Sequence, residues 1–313
     1  MKSLQSYAVI IISLCCLMIG FSVTAQNEFA ASLDVLNAGV EVQRVNTNRF
    51  ITVEIEAIVG VGDIIRTDDT GEARITFFAD GTDVTLEPAT EYRIVEFDGD
   101  DEDFRLTVDV IAGQATHRLN RTLGANSRYD VETPGMTLAA QGTTFAIRVE
   151  DTGRSSMLVF EGLVDAGAEA DSANVSVGFG VRSAVDAELS DVVRADTFAQ
   201  LDSALDGCPV TVTTVDDVSI NVRSAPSLDA PQIGVILASD IDRFYGVNTS
   251  GNWYRVVYES EFGWILSSNA TLETDCAGLR LFEDSFAENQ EVLPDAPDAE
   301  STEQAESYTS CHP

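Results

Sequence analysis

The chain has two histidines, His117 and His312, and neither has the company a general base needs. His117 stands between Thr116 and Arg118 after a strand-like run, and His312 is next to the last residue. The sequence contains no Gly-x-Ser-x-Gly turn, Ser-x-x-Lys pair, His-Glu-x-x-His helix or phosphate-cradling glycine loop, so it offers no constellation for nucleophilic, metal or phosphoryl chemistry. A non-enzymatic protein without cofactor is expected. The run Asp98-Gly99-Asp100-Asp101-Glu102-Asp103 collects oxygen ligands of the kind Ca²⁺ accepts, with Asp98, Asp100 and Glu102 as the candidates. Asp103, however, stands where an EF-hand loop wants glycine, and the run separates two strands. A solvated acidic hairpin tip is the expected reading. Trp253 and Trp264, with Tyr245, Tyr254 and Tyr258, supply flat apolar faces suited to sugar rings or peptide side chains, and together form the candidate ligand groove.

Five cysteines complete the inventory. Cys15 and Cys16 lie in an apolar run over 8–21, which follows Lys2 and precedes Val23-Thr24-Ala25, the pattern of a cleaved export signal. Cleavage after Ala25 is expected, and with it an extracytoplasmic location and no stable membrane span in the mature chain. Cys208, Cys276 and Cys311 then remain for an oxidising compartment. Cys208 and Cys276 bracket a strand-rich segment and are the expected disulfide pair.

The elements that must position these residues read as strands. From 34 to 185, short alternating apolar runs are separated by Gly, Asp and Asn turn signals. Arg74-Ile75-Thr76-Phe77-Phe78 and Val84-Thr85-Leu86 flank Asp80-Gly81, the pattern of a hairpin. Further strands are expected at 91–97, 104–111, 128–132, 144–150 and 156–161, with Gly113 and Gly142 among the residues that punctuate them. Over 186–207 the apolar spacing turns helical, predicting one amphipathic connecting helix. Strand alternation returns over 208–276. The stretch 281–313, rich in Glu, Asp, Ser and Pro, is expected to be a disordered acidic tail.

The net charge of −34 repels phosphate polymers, so nucleic acid is not an expected partner. Lys2 is the only lysine, and almost all positive charge is arginine.

Gly62-Asp63-Ile64-Ile65-Arg66-Thr67, Gly71-Glu72-Ala73, Asp80-Gly81-Thr82, Ala112-Gly113-Gln114-Ala115, Val131-Glu132-Thr133-Pro134-Gly135, Gly142-Thr143-Thr144-Phe145 and Phe160-Glu161-Gly162 resemble, in order and spacing, a FecR-type domain. Ser219-Ile220-Asn221-Val222-Arg223-Ser224-Ala225-Pro226, then Gly251-Asn252-Trp253-Tyr254 and Phe262-Gly263-Trp264-Ile265, resemble a bacterial SH3-like domain. Ala225 stands where that family prefers glycine. The resemblances imply an all-β chain: a many-stranded FecR-like domain (34–185), solenoid-like in part, a short helical linker (186–207) and a small SH3-like barrel (208–276). They also imply that Trp264 packs the small core. The implied function is extracytoplasmic binding or scaffolding, with the SH3-like domain contacting cell-wall peptide or glycan, or an envelope protein. The alternative is FecR-like signalling through a membrane partner.

Overall fold

The computed structural model describes residues 29–79, 81–99, 103–124, 126–211, 218–269, 271–272 and 278–288. The expected export signal therefore lies outside the described residues, as do Asp80, Cys276, Cys311 and His312. The first domain consists of β1 (Phe29–Asn37), β2 (Val40–Gln43), β3 (Phe50–Val53), β4 (Glu56–Gly60), β5 (Ile64–Thr67), β6 (Glu72–Phe77), β7 (Asp83–Leu86), β8 (Glu91–Gly99) and β9 (Phe104–Arg118). It continues through β10 (Arg128–Glu132), β11 (Thr137–Ala140), β12 (Thr144–Val149), β13 (Ser155–Glu161), β14 (Leu163–Ala168), β15 (Asp171–Ser176), β16 (Phe179–Ser183) and β17 (Val193–Arg194).

These strands form two sheets. One runs β4-β1-β6-β7-β9-β12-β13-β16-β17. The other runs β3-β2-β5-β8-β9-β10-β11-β14-β15, and only its β9–β10 pairing is parallel. The chain crosses between the sheets every one or two strands, which gives the domain its solenoid-like winding. Period-2 alternation explains the faces: on β6, Ala73, Ile75 and Phe77 are buried while Arg74 is exposed. The inward residues of both sheets meet in one apolar core that includes Leu33, Ile75, Tyr92, Val108, Phe145 and Val181.

β9 belongs to both sheets. Residues 104–112 pair with β8, and 113–118 pair with β12. The sequence reads Gly113 as the end of a strand, but the strand runs through it. Gly113 has φ +86°, and a Cβ there would lie 2.5 Å from Thr90 Cα and closer still to the Ala89 carbonyl oxygen. Glycine lets the strand turn from one layer to the other with its backbone pressed on the β7–β8 connection.

The helix expected over 186–207 is confined to α1 (Phe198–Asp206), the single α-helix among the described residues. Thr197 caps it, accepting from the Gln200 N–H at 3.2 Å. The preceding residues instead supply β17, paired with β16. This segment is packed on the first domain: Leu201 is buried against Leu158 and Val193. Arg148 donates twice to Asp202 at 2.7 and 2.9 Å, and Arg182 grips Asp206 at 2.7 and 2.5 Å. The Arg182 hydrogen bond holds the Asp206 carboxyl below the usual carboxylate range.

The second domain comprises β18 (Cys208–Thr211), β19 (Ser219–Arg223), β20 (Gln232–Leu237), β21 (Arg243–Phe244), β22 (Gly246–Asn248), β23 (Trp253–Tyr258), β24 (Glu261–Leu266), β25 (Thr271–Leu272) and β26 (Leu281–Phe282). A six-stranded sheet runs β20-β19-β24-β23-β22-β26, and β18 bridges β21 and β25. Its core contains Ile220, Val222, Phe244, Val256 and Ile265. Residues 281–288, expected as the start of a disordered tail, are instead ordered against this domain through β26. The reason is local: Phe282 is buried, and its neighbours Asp284 and Glu288 are paired. The tail beyond residue 288 lies outside the described residues.

Cys208 is buried and disulfide-bonded. Peptide mapping of the non-reduced protein is expected to recover Cys208 joined to Cys276, and recovery of Cys276 as a free thiol would refute that pairing. Closing a loop of this length stabilises by about 4 kcal/mol in the chain-entropy model. No helix among the described residues is long and apolar enough to cross a membrane.

Candidate functional site

Of the five aromatics expected to share a groove, the four on β23 and β24 are split between the two faces of one sheet. β23 and β24 form a hairpin with Trp253 opposite Leu266, Arg255 opposite Trp264 and Tyr258 opposite Glu261. Alternation then sends Tyr254 and Tyr258 to the barrel core, and Trp253, Arg255, Trp264 and Leu266 to the outer face. Tyr254 stacks on Phe244 at 4.2 Å. Tyr258 covers Gly234, where a Cβ would strike its ring. Tyr245 meets the edge of Phe262 at 5.6 Å. These three tyrosines pack the fold and do not line a common groove with the tryptophans.

Trp264 is completely buried, as the resemblance implies, and packs edge-on to Phe282 at 5.5 Å. Trp253 retains only 6% exposure, although it follows a turn. Asn248 explains this: its Oδ1 accepts from the Trp253 N–H at 2.9 Å, and its amide donates to Asp284 at 2.6 Å. The indole itself is buried in the aromatic cluster with Trp264 and Phe282. Truncating it removes packing as well as any ligand contact.

What remains open beside Trp253 is a shallow concavity of about 230 Å³ lined by Ser219, Asn221, Arg223, Leu228, Trp253 and Leu266. Leu228 overhangs it with 65% exposure. Arg223 braces the rim by donating to the Ala230 carbonyl at 2.7 Å, which fixes the loop carrying Leu228. Asn221 stands exposed on the groove side of β19. The site thus joins an apolar lip, an aromatic edge, an amide and a held guanidinium, a mixture suited to a polar ligand with a flat or branched apolar part.

The other candidates resolve differently. Asp98 is exposed at the end of β8, and Asp100 and Glu102 lie outside the described residues, among which no cluster of three or more metal-ligating side chains occurs. His117 is buried in the first domain, with Nδ1 2.7 Å from the Tyr129 hydroxyl and its ring stacked on Phe145 at 4.9 Å. Burial lowers its pKa to about 3, so the ring is a neutral core group near neutrality.

Several residues of the Gly62 to Phe160 motifs carry structural tasks. Asp63 is buried and accepts from the Val45 and Gly60 N–H groups, both at 3.0 Å, and from Arg44 at 2.7 Å. Asp68 accepts from the Thr70 and Gly71 N–H groups, which hold its carboxyl below the usual range. Arg255, Phe282 and Glu288 are missed by sequence reasoning, because their partnership depends on β26 joining the sheet.

Comparison with known proteins agrees with this division. Residues 63–165 match the family model described as FecR protein, and residues 218–271 match that described as bacterial SH3 domain. No curated protein matches the chain. Two crystal structures of a candidate anti-sigma factor from Parabacteroides distasonis ATCC 8503 are similar over 48% of this chain and 68% of theirs, with 18% and 16% identity and a TM-score of 0.37. The chain thus carries a FecR domain at 63–165 followed by a bacterial SH3 domain at 218–271.

Proposed function

We propose that this chain is an extracytoplasmic, non-catalytic binding protein whose SH3 domain holds cell-envelope peptide or glycan in the groove beside Trp253. The groove carries the reading: an exposed leucine, an exposed amide and an arginine fixed by the backbone line it together with Trp253. The export pattern at 8–25 supports the location, and the burial of His117 supports a structural part for that residue. Leu228→Asp places a charge on the lip without touching the core, and should reduce retention on purified cell-wall material about tenfold, as loss of one well-placed apolar anchor does. The thermal midpoint should not move. Equal retention of variant and wild type would refute the groove as the binding site.

The FecR match favours a second reading, regulation through a membrane partner. Recovery of one membrane protein with the full chain after mild crosslinking, in the absence of cell-wall retention, would select it.

A further inference from the structure

The outer face of the SH3 sheet is not left to solvent, because the chain returns across it. β26 adds a two-residue parallel ladder to β22, with Leu281 opposite Val247 and Phe282 opposite Asn248. Phe282 lies against Trp264 at 5.5 Å and Phe286 at 4.8 Å. The Arg255 guanidinium sits 3.5 Å over Phe262 and 4.8 Å from Phe282, and its fork takes Glu288 at 2.8 and 2.9 Å. Asp284 accepts from Asn248, from the Ser250 N–H at 3.1 Å and from its hydroxyl at 3.0 Å, and the Ser250 N–H holds its carboxyl below the usual range. The Glu288 N–H finally reaches the Ser224 carbonyl at 2.9 Å, next to groove residue Arg223.

The contacts of 281–288 are those of a docked peptide. Its backbone touches the sheet through a short ladder at one edge, which gives affinity without sequence demand. Its anchors are discrete: Phe282 and Phe286 on the tryptophan face, then Glu288 in a bidentate arginine clamp. The barrel core of Ile220, Val222, Phe244, Val256 and Ile265 lies on the opposite face of the sheet and does not include it. We propose that this face is an acceptor site for a peptide bearing two aromatic residues four apart, with a turn between them, and a carboxylate two residues later, and that residues 281–288, which turn through the Phe286 N–H to Glu283 carbonyl hydrogen bond at 2.9 Å, occupy it in cis. The inference rests on reading the SH3 domain as a binding module and narrows its ligand class to peptide. A tethered segment competes at an effective concentration in the millimolar range, so ligands in trans meet a self-occupied site. Release of the segment would extend the groove from Arg223 across Trp264 to Arg255.

The test uses the full chain and a labelled synthetic peptide of residues 280–288. Wild type is expected to bind it at least about tenfold more weakly than the Phe282→Ser/Phe286→Ser variant, whose own segment no longer competes. Adding Arg255→Gln to that variant should abolish binding. Both tryptophans of the chain lie on this face, so the double variant should also show red-shifted emission that reverts on adding peptide. Absence of peptide binding by a natively folded double variant overturns the proposal, as does equal binding by variant and wild type. Unfolding of the variant's SH3 domain overturns it too, because the segment would then be part of the fold. Cell-wall retention measured alongside separates the readings: its loss with peptide binding intact removes the envelope ligand and leaves the acceptor site.

Discussion

Gly113→Ala is expected to prevent stable folding of the FecR domain while the SH3 domain keeps its own transition. Two costs combine at this position. An alanine at φ +86° enters the left-handed region, which costs roughly 1–2 kcal/mol. Its Cβ would also sit 2.5 Å from Thr90 Cα, against backbone that is itself held in place. Thr90 is fixed by its N–H to the Thr67 hydroxyl at 2.8 Å, and its own hydroxyl donates to the Gln114 carbonyl at 3.0 Å. With neither side free to move, the overlap adds several kcal/mol more, comparable to much of the roughly 5–15 kcal/mol that holds a domain together. Gly81→Ala is the control: its φ is +71°, but a Cβ there meets nothing within 4 Å. Calorimetry should show the first-domain transition lost in Gly113→Ala and lowered by a few degrees in Gly81→Ala. Similar midpoints for the two variants would contradict the packing argument.

His117 should make the FecR domain sensitive to mild acid, and His117→Phe should remove much of that sensitivity. The folded pKa of about 3 lies below the ordinary value of 6.5 because burial opposes the charged ring. Between those values the unfolded chain binds a proton that the folded chain does not. Stability from this residue is therefore complete above the unfolded pKa and falls as pH drops, by about 1.4 kcal/mol per unit. From about pH 7 to about pH 5 the loss is roughly 2 kcal/mol, or about 4–8 °C in melting temperature for a domain of this size. Phenylalanine keeps the stack on Phe145 and removes Nε2, a buried atom with no hydrogen-bond partner among the described residues. The wild-type midpoint should fall over this range by several degrees more than that of His117→Phe. Parallel curves would show that the ring does not titrate as its burial requires.

The sequence disclosed what is local. The hairpin around Gly81 appears with Arg74 opposite Thr85 and Ile75 opposite Val84, because alternation and an Asp-Gly turn specify register within a dozen residues. β10 coincides with the strand expected at 128–132, for the same reason. Glycine usually ends a strand, so Gly113 reads as a break, and only the approach of the Thr90 backbone shows why β9 continues through it. Val192 and Val193 fit a helical spacing, yet a neighbouring sheet edge claims Val193 as strand. At the candidate site, Val222 belongs to the core as alternation suggests. The burial of Trp253 is not legible in the sequence, since it packs with Phe282, which lies in an acidic stretch beyond the barrel strands. Composition reports solubility of such a stretch but not two aromatic anchors within it.

β9 also limits how the FecR domain can move. In a sandwich whose layers are joined only by loops, the halves can part like a clamshell about the core. Here one continuous strand is woven into both ladders, so opening would have to break either the 104–112 register or the 113–118 register. The domain is therefore a stiff lever without an internal hinge.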